Sequence, residues 1–288
     1  RRSALAPADP ASWRLAPDAD RAALAREVAS DVGGYVRGFA DVFSPAGFQI
    51  EIDRALDPVF LWPLHAARAA LRDAGREVGA ASGAVILGNL GYPTPGLMRY
   101  ALDVWAGRPP ADPRERFSAG LPAQLVAAAL GFTGPAFALD AACASSIYAI
   151  KLACDRLADG SVELAIAGGV NHADDLFLHL GFTALAALSP TGRSRPFHRA
   201  ADGLVPAQGA AVVLLKRLDR ALADGDRVRA VIRGVGLSND GRGRGLLVPS
   251  QPGQVRALRA AYAAAGVAPS TIGLVECHAT EIGRASCR

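Results

Sequence analysis

The sequence predicts an α/β fold built on a mostly parallel central sheet. Two observations carry that expectation. Short, largely apolar runs at 84–87, 134–140, 162–167 and 210–215 read as strands buried on both faces. Longer amphipathic stretches alternate with them, with Gly or Pro at many of the junctions. The 288 residues are enough for one large or two small domains of ~150 residues. With 51% apolar and 20% charged residues, the chain can bury a sizeable core, and a disordered chain is excluded.

The elements follow in order. Residues 1–20 are rich in Pro and Ala and read as irregular, 22–30 as a short helix, and 33–45 as a loop anchored by Tyr35, Phe39 and Phe43. From Asp57 the pattern turns helical. Pro58 occupies a first-turn position, and Leu61, Leu64, Ala67 and Leu71 recur at three- to four-residue spacing until Gly75. After the strand at 84–87, Gly88-Asn89 and the prolines at 93 and 95 make a loop, 98–105 a helix and 108–114 a surface excursion. Residues 118–139 are uncharged and long enough to consider as a membrane span. Gln124 and the Gly131-Phe-Thr-Gly-Pro135 break resolve them into a buried helix at 122–130, a turn and the strand at 134–140. A strong helix follows at 144–158, then the strand at 162–167, ended by Gly168-Gly169. Strands at 210–215 and 228–235 are joined by a short helix and the turn Asp224-Gly225-Asp226. Residues 238–253, rich in Gly and Pro, form the internal boundary. A helix at 254–265 leads to a last strand at 272–277.

The charge balance narrows the partners. The formal charge is +4, from 31 basic and 27 acidic residues spread along the chain, which gives no nucleic-acid footprint. Gly241-Arg-Gly-Arg-Gly245 does not follow a strand into a helix as a phosphate loop would, and reads as a surface turn. The four cysteines, at 143, 154, 277 and 287, form no C-x-x-C pair. That argues against a zinc site and a secreted disulfide framework and for a reduced, cytoplasmic setting. No signal peptide or membrane segment is read. Residues 281–288 leave the pattern. One back-translation of them matches sequencing-adapter read-through, so they are set apart from the fold. The chain is read as an internal fragment, cut at both ends.

The chemistry concentrates in Ala138-Leu-Asp-Ala-Ala-Cys143-Ala-Ser-Ser146. A buried strand passes into a helix with only small residues between, the pattern of a nucleophile elbow. Cys143 then stands at a helix N-terminus, where unpaired N–H groups and the dipole favour a thiolate and can donate to an oxyanion. A lone free cysteine is often no more than a small buried apolar residue; the strand–elbow–helix context favours a functional one. Cys154, three turns deeper, and Cys277, facing away from its neighbour His278, read as core. His65 reads as structural. His172 and His179 flank an acidic and apolar loop with Asp174 and Asp175, and match no metal-ligand motif.

The segment Asp140-Ala-Ala-Cys-Ala-Ser-Ser146 resembles the active site of β-ketoacyl synthases of the thiolase superfamily. Further segments agree in order and spacing: Ser194-Arg-Pro-Phe197, Ala201-Asp-Gly-Leu-Val205, Leu215-Lys-Arg-Leu218, Val231-Ile-Arg-Gly234, Ser238-Asn-Asp-Gly241 and Gly273-Leu-Val-Glu-Cys-His-Ala-Thr280. Gly88-Asn89-Leu90 and the run from Asn171 most resemble synthases of polyketides and polyunsaturated fatty acids. The resemblance covers roughly residues 35–280. It implies a thiolase-like layered α-β-α fold, with 1–238 as the N-terminal ketosynthase half and 239–280 as the start of the C-terminal half. It also implies decarboxylative Claisen condensation, with Cys143 as the acylated nucleophile and His278 as the first of two histidines supporting the extender thioester.

The implied partner is acyl carrier protein. Its phosphopantetheine carries the substrates, no tightly bound cofactor is needed, and a homodimer with Pro135–Asp140 near its two-fold axis is expected, with further synthase domains. Some residues depart from the family pattern. Ala279 stands where Gly is usual, Gln208 where Glu is common, and His198 where Asp is common. The second histidine and the glycine-rich tail are not in the chain, so the fragment by itself is expected to be inactive in condensation. The alternatives are a non-catalytic ketosynthase-like dimer partner or scaffold, which typically lacks the nucleophile, and a Cys-dependent thioesterase.

Overall fold

Asp57 and Pro58 start the first long helix for separate reasons. The Asp57 carboxylate accepts the Val59 N–H at 2.9 Å, and Pro58 takes the first turn, where its missing N–H loses no helical bond. The computed structural model describes residues 4–13, 27–242 and 250–279. The segment 281–288, residues 243–249 and most of the helix expected over 22–30 lie outside the described residues. In chain order the described elements are β1 (Leu5–Pro7), β2 (Val32–Gly34), the single turn α1 (Phe39–Val42), α2 (Pro58–Asp73), β3 (Gly83–Gly88), α3 (Pro95–Trp105), α4 (Leu121–Leu130), β4 (Ala136–Leu139), α5 (Ser145–Ala158), β5 (Leu164–Asn171), α6 (Asp175–Ala184), β6 (Gly209–Leu215), α7 (Leu218–Ala223) and α8 (Gln251–Ala265), with 3-10 turns at Pro113–Phe117 and Pro269–Thr271. They fall into two compact units. One comprises Val36–Asp174 and Gln208–Ala230; the other comprises Arg1–Tyr35, Asp175–Ala207 and Val231–Arg288.

The first unit holds the sheet, in the order β4-β3-β5-β6. β4, β3 and β5 are parallel, and β6 closes antiparallel on β5. The pleat sends alternate residues of β3 to opposite faces. Val85 and Leu87 join Ile166 of β5 in a core with α2 and α4, where Phe60, Leu64, Val126 and Leu130 are fully buried. Ala84 and Ile86 face the other way, with Ala165 and Ala167, onto the Ala149, Ala153 and Leu157 stripe of α5. Helices on both faces make this an α-β-α arrangement, the layered architecture expected from the sequence. Phe60→Ala is expected to cost about 3–5 kcal/mol of stability, because a buried aromatic leaves a cavity that a close-packed core fills only in part; urea unfolding reads the loss directly.

Several boundaries differ from the sequence expectation. Gly168-Gly169 does not end its strand. A Cβ on Gly168 would lie 2.1 Å from the Ala211 carbonyl oxygen, so glycine lets β5 run on beside β6 to Asn171. α3 begins earlier, at Pro95, because the Thr94 hydroxyl accepts the Leu97 N–H. α8 likewise begins at Gln251, capped by Ser250. α6 replaces the loop expected around His179.

The strands expected at 228–235 and 272–277 do not form among the described residues. A strand needs a hydrogen-bonded neighbour, and an apolar run alone does not supply one. The backbone around Gly234 and Gly236 instead lies against α8; a Cβ on Gly236 would sit 2.0 Å from the Ala257 carbonyl oxygen. Residues 272–277 are exposed throughout.

In the second unit β1 pairs antiparallel with β2, and Trp13, Val28 and Leu188 form a small core. The Asp202 carboxylate closes the base of the following loop by accepting from the hydroxyls of Ser189 at 2.7 Å and Thr191 at 2.8 Å. Among the described residues no helix is long and apolar enough to cross a membrane.

Candidate active site

β4 ends at Leu139 and α5 begins at Ser145, and the turn between them is held by two side chains. The Asp140 carboxylate accepts the Ala142 N–H at 2.9 Å through one oxygen and the Gly91 N–H at 3.3 Å through the other. The Ser145 hydroxyl accepts the Ala141 N–H at 2.9 Å and donates to the Ala142 carbonyl at 2.6 Å. Ala144 and Ser145 N–H groups donate back to the Ala141 and Ala142 carbonyls. This tight winding forces Ala142 to φ +50°, the left-handed region, which costs a residue with a Cβ about 1–2 kcal/mol. The outcome is a sharp change of direction. Cys143 is exposed, whereas Ser145 is buried. The thiol stands at the carboxyl edge of the parallel strands, the edge where open α/β sheets bind ligands.

Close approach of backbone makes the elbow possible. Gly88 ends β3 beneath the first turn of α5. A Cβ there would lie 2.7 Å from the carbonyl carbon and Cβ of Ser145 and from the Ser146 nitrogen. Asn89 continues the link. Its N–H donates to the Leu139 carbonyl at 3.0 Å, and its buried side-chain amide donates to the Ser118 and Ala119 carbonyls at 2.8 and 2.9 Å. The sequence reading singles out Cys143 but misses Ser145, Gly88 and Asn89 as supports of its turn. The available signal was a glycine ending an otherwise apolar strand, a mark of backbone approach.

The other sequence candidates have different local settings. His278 is exposed and belongs to the second unit, and Ala279 beside it takes φ +43°, the conformation that glycine adopts without strain. Cys277 is exposed rather than core, since the described residues around it form no strand. Cys154 is half-buried, and burial pushes its thiol up. His65 packs edge-on to Phe39, and burial, with Arg68 and Arg72 nearby, lowers its proton affinity. His172 lies 2.6 Å from the buried Asp57 carboxylate, a structural pairing that the sequence spacing did not reveal. The Lys216 ammonium reaches both Asp224 and Asp226, which ties the end of β6 to the Asp-Gly-Asp turn.

The β-ketoacyl synthase N-terminal domain model matches residues 1–221, and the β-ketoacyl synthase C-terminal domain model matches residues 229–282. The chain belongs to the β-ketoacyl synthase family. It is 49% identical over 155 residues to a mycocerosic acid synthase-like polyketide synthase of Mycolicibacterium smegmatis, a match that covers 54% of this chain and 7% of that protein. Among solved structures, a PfaC ketosynthase–chain length factor superposes with TM-score 0.85 at 34% identity, covering 97% of this chain and 33% of the other. A ketosynthase domain of oxazolomycin synthesis from Streptomyces albus JA3453 gives 0.81 at 30% identity, covering 97% and 49%. The ketosynthase chain therefore has the thiolase-like layered fold and is of polyketide-synthase type. It spans less than half of each of these relatives.

Proposed function

We propose that this chain supplies the acylated cysteine of a β-ketoacyl synthase, with Cys143 as nucleophile. The observation that carries the reading is the exposed Cys143 thiol on a strained elbow between a parallel strand and a helix N-terminus. The Cys143 sulfur attacks the acyl thioester carbonyl, and the carbon–sulfur bond to the carrier's pantetheine breaks as that thiol leaves with a proton. The malonyl-type extender then loses CO₂. Its carbanion attacks the Cys143 thioester, a carbon–carbon bond forms, and the sulfur is released. With the Ala144 and Ser145 N–H groups already donating inside the turn, the N–H of Cys143 itself is the donor assigned to the oxyanion. His278 supports the extender carbonyl as negative charge develops.

The carrier is acyl carrier protein, and phosphopantetheine remains covalently on it. Among the described residues β4 is an edge strand paired on one side only, by β3, which supports Pro135–Asp140 as the face toward a second copy. The division into an N-terminal half, 1–238, and the start of a C-terminal half, 239–280, belongs to the same proposal.

The test is incubation of the chain with a radiolabelled acyl thioester, followed by peptide mapping. Label is expected on Cys143, with at least a hundredfold loss in Cys143→Ala. Label on Cys154 or Cys277, or label surviving Cys143→Ala, overturns the assignment. In a synthase module carrying this chain, His278→Ala is expected to acylate normally and to lose condensation with a malonyl-loaded carrier. A thioesterase would instead release free acid from Cys143 without any extender.

A further inference from the structure

His179 has no exposed surface, yet both of its ring nitrogens face oxygen acceptors. Nδ1 lies 2.8 Å from the Asp175 carbonyl and 3.4 Å from the Asp175 carboxylate, and Nε2 lies 3.4 Å from the Val32 carbonyl of β2. A neutral imidazole carries one N–H and one lone pair, so only the imidazolium can donate to both carbonyls. The counter-charge is in place. The Asp175 carboxylate accepts from the Trp13 indole at 2.5 Å and the Tyr35 hydroxyl at 3.0 Å, and the Trp13 ring lies 5.3 Å from the His179 ring. Among the described residues the titratable groups facing the ring are Asp175 on α6 and, through that carboxylate, Tyr35 beyond β2; Trp13 and the Val32 carbonyl are uncharged. Thr183, one turn on, ties the same helix to the Ala29 N–H at 3.1 Å.

We propose that the imidazolium of His179 is the pin that fastens the β1–β2 ribbon to α6, so that loss of one proton loosens the N-terminal segment. The consequence follows from the chemistry of the ring. Without that proton, one nitrogen turns a lone pair toward a carbonyl inside a water-free site, and the buried acceptor loses its donor. Burial works against the ring's charge, but the Asp175 carboxylate and the two carbonyls outweigh it and raise the histidine above its ordinary value of 6.5. Burial also works against the Asp175 charge, but His179, Trp13 and Tyr35 outweigh it and hold that carboxyl below its ordinary 3.8.

The signs set a window. The histidine contribution is fully present below 6.5 and is lost as pH rises through the elevated folded value. The aspartate contribution is present above 3.8 and is lost as pH falls through the depressed one. The ribbon is therefore held best in mildly acidic solution and loosens on the alkaline side.

The decisive experiment uses the unsubstituted chain. The ¹³Cε1 shifts of its five histidines are titrated alongside hydrogen exchange at the Ala8 and Tyr35 amides, which donate across the ribbon to the Asp31 and Ala4 carbonyls. One histidine is expected to titrate above pH 6.5 and to vanish from the spectrum in His179→Gln. Across that midpoint the protection of both amides, corrected for intrinsic exchange, should fall at least tenfold. Asp175→Asn, which keeps an acceptor for Trp13 and Tyr35, should lower the midpoint while the fold persists. A His179 midpoint at or below 6.5, or amide protection that does not change across it, overturns the proposal.

Discussion

Gly88→Ala is expected to lower the rate of acyl labelling at Cys143 by ten- to a hundredfold while leaving the chain folded. The added methyl would arrive 2.7 Å from the backbone of Ser145 and Ser146, well inside contact distance. Neither side can yield cheaply. β3 is fully buried and hydrogen-bonded on both edges, and the first turn of α5 is fixed by the Ser145 hydroxyl and the Asp140 carboxylate. The helix start must move, and Cys143 moves with it. A displacement near 1 Å at a reacting atom can cost about a hundredfold in rate, whereas overpacking costs about 1–3 kcal/mol in stability. The two readouts separate the effects. Labelling kinetics should fall far more than the population of folded chain measured by urea. Equal labelling rates in Gly88→Ala and the unsubstituted chain would show that the elbow does not rest on β3.

The second large effect is expected at Asp57. Its carboxylate is almost wholly buried and satisfies three groups at once: the Val59 N–H at the start of α2, the Gly96 N–H at the start of α3, and His172 after β5. Its own N–H donates to Glu115 at 2.8 Å. Asp57→Ala strands two backbone donors and a histidine in a dry site, at roughly 3–5 kcal/mol from the lost cap and the unpaired buried groups together. Asp57→Asn retains one acceptor oxygen and should lose about half as much. Urea denaturation of the two variants checks the order. An alanine variant as stable as the asparagine one would mean that water replaces the carboxylate.

Much of the first unit was legible in the sequence because its signals are local. Pro58 in a first turn, leucines at helical spacing and apolar runs of strand length need no knowledge of neighbours. Cys143 was legible for the same reason, since small residues between a strand and a helix mark an elbow wherever they stand. What escaped depends on distant partners. The Gly168-Gly169 pair looks like a strand end until β6 is laid beside it. α6 was hidden because Asp174 and Asp175 interrupt the apolar pattern, and Asp175 earns its place only by meeting Trp13 and Tyr35. Residues 228–235 and 272–277 show the converse error: strand-like composition that joins no ladder among the described residues. The grip of Gly88 and Ser145 on the turn that carries Cys143 is likewise a tertiary contact, which no spacing rule records.

The strand order has a consequence for how the chain is made. β3 sits between β4 and β5, yet both of those neighbours are translated after it. A nascent chain that has delivered Gly88 must extend by about 80 residues, to Asn171, before the middle strand has both partners. At about 5–20 residues per second, that delay is roughly 4–16 s. Throughout it the fully apolar Ala84-Val-Ile-Leu87 run has at least one open hydrogen-bonding edge, and two until β4 is made, the condition that invites pairing with another chain. Slow codons after residue 171 would help β5 reach β3, whereas slow codons before it would prolong the exposure.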